Sequence, residues 1–103
     1  STYAIDVAIT NDNKILAIAE VDTDGIHIMS TVKVIDINNL DNQNVKKYEI
    51  SEGGLISDIE YTSENDLLVM TDSTVEIIQN SQKIEKLSYD YNNLFLNLYK
   101  YLN

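Results

Sequence analysis

The chain contains no cysteine, which excludes disulfides, thiolate metal sites and thiol nucleophiles. It has one histidine, His27, and a lone imidazole cannot form a zinc site without two or three partners. With no second histidine, no glycine-rich phosphate loop and no nucleophile elbow, catalytic triads and nucleotide sites have no support. Basic residues are scarce: 7 stand against 17 acidic ones, for a formal net charge of −10. Only Lys46 and Lys47 are adjacent, so no basic cluster exists to release counterions from nucleic acid or to meet an anionic lipid surface. The acidity instead favours solubility, or a basic or metal-rich partner. No apolar run reaches membrane-spanning length, and no basic stretch precedes an apolar one at the N-terminus. No direct membrane contact and no cofactor is expected of this segment. Proline and tryptophan are absent, whereas Asn (12), Ile (14), Lys (7) and Tyr (7) are abundant. AT-rich codons favour that set, which points to a low-GC bacterium.

What is present is a period of two. Ile5, Val7 and Ile9 share one face of a strand that ends at Asn11-Asp12-Asn13, and Ile15 to Val21 is apolar on both faces, as in a buried strand. Ile26 to Ile37 is long and β-branched, and Lys46 to Ile50 is a short strand of edge character after the polar turn NNLDNQN. Further strands are predicted at Leu55–Thr62, Leu67–Thr71, Thr74–Gln79 and Lys83–Leu87. No amphipathic helix is predicted before residue 90. In the tail, Leu94, Leu96 and Leu98 alternate as in a strand, while Leu94, Leu98 and Leu102 also keep helical spacing. The strand reading is preferred.

The sequence also repeats itself. DVAITNDNKILAI from Asp6 aligns with DIEYTSENDLLVM from Asp58, an offset of 52, and STVKVI from Ser30 aligns with STVEII from Ser73, an offset of 43. The first copy therefore carries about nine extra residues between Val21 and Met29, over EVDTDGIHIM. Four strands per unit at this period is the pattern of a β-propeller blade. The runs Val7-Ala8-Ile9-Thr10-Asn11-Asp12-Asn13-Lys14 and Ile59-Glu60-Tyr61-Thr62-Ser63-Glu64-Asn65-Asp66, with Ser30–Asp36 and Asp72–Ile78, resemble the blades of WD40-like and related bacterial propellers. Asn13 and Asn65 stand where glycine is usual, and asparagine tolerates the left-handed backbone of such a turn. The Gly-His pair is missing, and Ile35-Asp36 and Ile78-Gln79 replace Trp-Asp, which separates the chain from true WD40 proteins. The nearer likeness is to uncharacterised propeller domains outside the membrane of low-GC Gram-positive bacteria, tethered by an N-terminal helix.

The resulting expectation is an all-β chain of antiparallel four-stranded sheets, about two propeller blades and a fragment of a larger propeller. Residues 1–50 form a first blade with a hairpin insertion at 21–29, residues 51–90 a second, and residues 91–103 a terminal strand or the start of a further blade. Two blades do not close a ring, so homo-oligomers through open blade edges are expected.

Asp22-Thr23-Asp24-Gly25 offers oxygens at alternate positions, as a Ca²⁺ loop does, but lacks the third ligand and the distal glutamate of an EF-hand. A strand-connecting turn is the preferred reading, leaving Asp22 and Asp24 as weak calcium ligands. Asp6 and Asp58 recur in both copies. They either line a central channel, as the carboxylates of propeller glycosidases do, or bond a neighbouring turn, and repetition favours the latter. Tyr89, Tyr91, Tyr99 and Tyr101 either stack on a ligand or fill a sheet margin. The sequence thus points to a non-catalytic binding or scaffolding module for a protein or glycan, with Asp24, Gly25, His27, Tyr89 and Tyr91 as partner-binding candidates. The alternatives are part of a propeller hydrolase and a purely structural spacer.

Overall fold

A computed structural model describes residues 1–41, 45–50, 55–71 and 74–79, together with the backbone of residues 82–88. Every regular element among them is a strand: β1 (Thr2–Ile9), β2 (Ile15–Thr23), β3 (Ile28–Asp36), β4 (Val45–Glu49), β5 (Ile56–Tyr61), β6 (Leu67–Thr71), β7 (Thr74–Gln79) and β8 (Gln82–Ser88). They form two four-stranded sheets, ordered β1-β2-β3-β4 and β5-β6-β7-β8, with every neighbouring pair antiparallel. Among the described residues there is no helix long and apolar enough to cross a membrane. The described residues are therefore all-β, and the short β4 is an edge strand, as its half-polar sequence predicts. Residues 91–103 and the Asp72-Ser73 turn lie outside the described residues.

Residues directly opposite each other in antiparallel strands share a face, so the registers define what each sheet presents. One face of the first sheet carries Ala8, Ala17 and Val34 in one row and Asp6, Ala19, Val32 and Tyr48 in the next. The second sheet turns Tyr61, Leu67 and Ile78, and then Ile59, Val69 and Glu76, towards it. Large aliphatic chains thus meet alanines, and the two faces seal: Ala17, Ala19, Val32, Ile59, Leu67 and Val69 are each at most 2% exposed and belong to one cluster. Each fully buried aliphatic side chain contributes about 1.5–3 kcal/mol. The opposite face of the second sheet holds a smaller buried cluster of Leu68, Val75 and Ile77, with Met70 against it.

Local geometry repeats along with the sequence. The first strand of each sheet has a register shift at the same repeat position, between Ala4 and Asp6 in β1 and between Ile56 and Asp58 in β5. Both following turns hold an asparagine in the left-handed region, Asn13 at φ 60° and Asn65 at φ 65°, which is the conformation their position requires. In each turn a buried threonine accepts a bond across the bend, Thr10 Oγ1 from the Ile15 amide and Thr62 Oγ1 from the Asp66 amide, both at 3.1 Å.

Two expectations are corrected. The Thr10 amide bonds the Ile15 carbonyl, whereas the Thr62 amide bonds that of Asp66, so the second turn is one residue shorter. Ile9 pairs with Leu16 and Tyr61 with Leu67, which makes Leu16 the equivalent of Leu67 and not of Leu68. The offset is then 51 in β2/β6 against 43 in β3/β7, where Val32 matches Val75, so the first hairpin carries eight extra residues. In addition, β2 is buried on one face only. Ala17 and Ala19 are sealed, but Leu16 and Ile18 on the other face are half-buried, and Val7 (58%) and Ile9 (45%) beside them are exposed.

The repeat supplies its own control. Ile59→Ala, in the sealed core, is expected to cost about 2–4 kcal/mol in urea unfolding, whereas Val7→Ala at the equivalent exposed position should cost about 0.5 kcal/mol or less. Equal losses at the two positions would contradict this assignment of faces.

Candidate functional site

The eight extra residues lengthen the β2–β3 hairpin beyond its counterpart. The ladder continues through the pairs Asp22↔Met29 and Thr23↔Ile28, leaving Asp24 to His27 as the tip. Gly25 takes φ 94°, a conformation an L side chain rarely adopts. The remaining loop groups are tied by side chains. Asp24 Oδ1 accepts the amides of Ile26 (2.8 Å) and His27 (2.7 Å), and Thr23 Oγ1 accepts that of Gly25 (3.0 Å). Asp24 Oδ2 stands 3.1 Å from His27 Nδ1. The His27 amide and ring, with the Ile26 amide, hold the Asp24 carboxyl down at about 2. A solvent-exposed loop is thereby given a defined shape.

That shape presents apolar groups. Ile26 is 84% exposed, and Ile28 and Met29 are each 49% exposed. Beside the tip lies a concavity of about 380 Å³ lined by Ser1, Asp22, Thr23, Asp24, His27, Ile28 and Met29. Of the predicted residues, Asp22, Asp24, Gly25 and His27 thus come together at one place, while Tyr89 and Tyr91 lie outside the described residues, as do Tyr99 and Tyr101. The calcium reading of Asp22 and Asp24 gains nothing from the geometry. Asp24 gives both oxygens to its own loop, and Asp22 Oδ1 accepts the Thr2 hydroxyl at 3.2 Å. Among the described residues no three His, Asp or Glu side chains form a cation-holding group. Sequence reasoning passed over Ile26, Ile28 and Met29. Their signal was present, since they are apolar residues inside an insertion that the second copy lacks.

The repeated aspartates meet where the sheets join. Asp6 Oδ1 accepts the amide of Val7 (2.9 Å) and Oδ2 that of Ile59 (3.0 Å), so one carboxylate binds the first strands of both sheets, β1 and β5. The Ile59 amide, and then a hydrogen bond from Asp58, hold Asp6 below the usual carboxylate range. Asp58 goes the other way, pushed up to about 6 by burial first and then by the hydrogen bond to Asp6 and the charges of Glu60 and Asp6. At pH below about 6, protonated Asp58 can therefore donate to ionised Asp6.

A raised carboxyl makes folding more favourable while it holds its proton, so this contribution is present at acid pH. It is lost as pH rises from about 4, the unfolded value, through about 6. Asp58→Asn keeps a donor towards Asp6 and removes the ionisation. After allowance for solvent screening, the variant is expected to gain about 1 kcal/mol or less over the parent at pH 7 and nothing at pH 4. Paired urea melts across that interval measure the difference, and a constant offset would contradict it.

Compared with known proteins, residues 1–93 match the model of DUF5711, described as a family of unknown function. No curated protein and no solved structure matches.

Proposed function

The chain belongs to DUF5711, and from that premise we propose that it is a non-catalytic recognition module, two blades of a β-propeller whose long first hairpin meets a partner. The observation that carries this reading is the tip at residues 24–27, held by four hydrogen bonds from its own side chains while exposing Ile26, Ile28 and Met29. A loop fixed before binding loses little entropy on association, and apolar groups displayed on a rigid scaffold are the means by which loops recognise proteins. Of protein and glycan, the tip suits a protein, since His27 is its one ring and three aliphatic or thioether chains dominate the surface. The propeller reading draws on the two four-stranded meanders, the matching bulges and the paired left-handed asparagines. The resemblance to tethered bacterial propellers supports a position outside the cytoplasmic membrane as part of this reading.

The hydrolase alternative requires two carboxyl groups about 5–9 Å apart across an open cleft. Asp6 instead gives its two oxygens to the backbone amides of Val7 and Ile59. That weighs against it.

A photo-crosslinking residue at position 26 is expected to capture one protein species, and one at Glu64, in a turn of the second sheet, to capture none. Ile26→Asp should abolish capture from a crosslinker placed at position 28. Asp24→Ala, which frees the loop, should weaken binding by about tenfold while the urea-unfolding midpoint stays close to that of the parent. Binding to a glycan array with no protein captured would redirect the reading to sugars, and capture unaffected by either substitution would remove the tip from the interface.

A further inference from the structure

The outer face of the first sheet is a second feature, separate from the hairpin tip. Its rows are Ile9–Leu16–Ile35–Val45, then Val7–Ile18–Lys33–Lys47, then Ala4–Glu20–Thr31–Glu49. Val7 and Ile9 are 58% and 45% exposed, and Leu16, Ile18, Ile35 and Val45 are half-buried. Soluble surfaces rarely leave a continuous apolar row uncovered. The repeat identifies what kind of surface this is. Val7, Ile9, Leu16, Ile18 and Ile35 are the equivalents of Ile59, Tyr61, Leu67, Val69 and Ile78, the face with which the second sheet seals against the first. A face of this pattern takes another sheet.

Charge selects the occupant. The chain carries −10 in all, so two copies repel over most of their surface. The charges of these three rows balance by contrast, with Lys33 and Lys47 against Glu20 and Glu49, Asp22 lies one row beyond, and Lys33 Nζ lies 3.0 Å from Glu20 Oε1. A twofold axis along the strands lays the row Ile9–Leu16–Ile35–Val45 on its own copy. It also sets Lys33 of one chain over Ile18 and beside Glu20 of the other, so the face is complementary to itself. Four strands about 4.8 Å apart and about eight residues long cover roughly 500 Å² per copy. Two copies bury about 1,000 Å², the lower bound of a specific interface. We propose that this face is the interface of a twofold dimer, with a second copy of the chain presenting the same surface.

Light scattering or sedimentation velocity on this chain, from low micromolar to near-millimolar concentration, should show a closed monomer–dimer equilibrium. Val7→Glu with Ile9→Glu, both on exposed positions, should weaken dimerisation by about tenfold or more. Ile26→Ser at the hairpin tip should leave it unchanged, with far-UV circular dichroism confirming that each variant folds. Lys33→Glu tests the charge argument independently and should weaken the dimer more at low salt than at high. A monomer at every concentration would overturn the proposal and assign the face to a sheet of different origin. An open-ended series of oligomers would overturn it in favour of edge-strand addition, and a dimer indifferent to the Val7 and Ile9 substitutions would place the interface elsewhere. None of these results bears on capture by the hairpin tip, so the two readings fail separately.

Discussion

The structure depends on a match of sizes between two sheets. Ala8, Ala17 and Ala19 make one face of the first sheet shallow, and Ile59, Leu67 and Val69 of the second fill the space this leaves. Neither face is complete alone. A sheet with one apolar side must bury that side against another element, and in a chain of 103 residues without cysteine no disulfide can compensate. Burial between the sheets therefore carries the stability, and the other features are arranged around it.

The Asp6–Asp58 pair shows how polar groups are fitted to that packing. Bringing β5 against β1 removes the Ile59 amide from water, and a buried amide without an acceptor costs about 1–3 kcal/mol. Asp6 Oδ2 supplies the acceptor across the sheet boundary, while Oδ1 serves Val7 within its own sheet. Asp58, at the repeated position, lies beside this carboxylate, where the two cannot both ionise freely. Its raised titration follows from burial and from that neighbour. Perturbed carboxyls often mark catalysis, but here the perturbation has a sufficient cause in backbone bonding and burial.

Much of this was legible in the sequence, for reasons that can be traced to particular residues. Alternation located the strands because one side of each sheet must be apolar, and Asn13 and Asn65 declared left-handed turns because few other residues accept that backbone. What alternation cannot express is the identity of the covering surface. Val7-Ala8-Ile9 reads as a strand whose large side chains face inwards, yet Ala8 points to the core and Val7 and Ile9 to the outside. Hydrophobicity marks a face as buriable, and only the position of the next sheet decides which face is buried. The one-residue error in aligning the repeats arose similarly. Ile15-Leu16 and Leu67-Leu68 can be superposed in either of two ways by composition, and the bond from the Thr62 amide to the Asp66 carbonyl selects one. Tyr89 and Tyr91, named as candidates from the sequence, lie beyond what the structure describes.

Internal repetition makes departures as informative as matches. Where both copies agree, at Thr10 and Thr62 or Asn13 and Asn65, one structural requirement met twice is a sufficient explanation. Where they differ, packing within the unit cannot be the cause, because the other unit packs without the feature. The eight residues lengthening the first hairpin are such a difference, and they hold the exposed aliphatic chains of Ile26 and Ile28. Lys33 and Glu76 are another, for they occupy equivalent positions with opposite charge. Glu76 lies in the sealed junction and Lys33 on the open face beside Glu20. The first sheet thus answers to a constraint on its outer side that the second meets internally, which is the physical ground for treating that face as a surface shaped by contact.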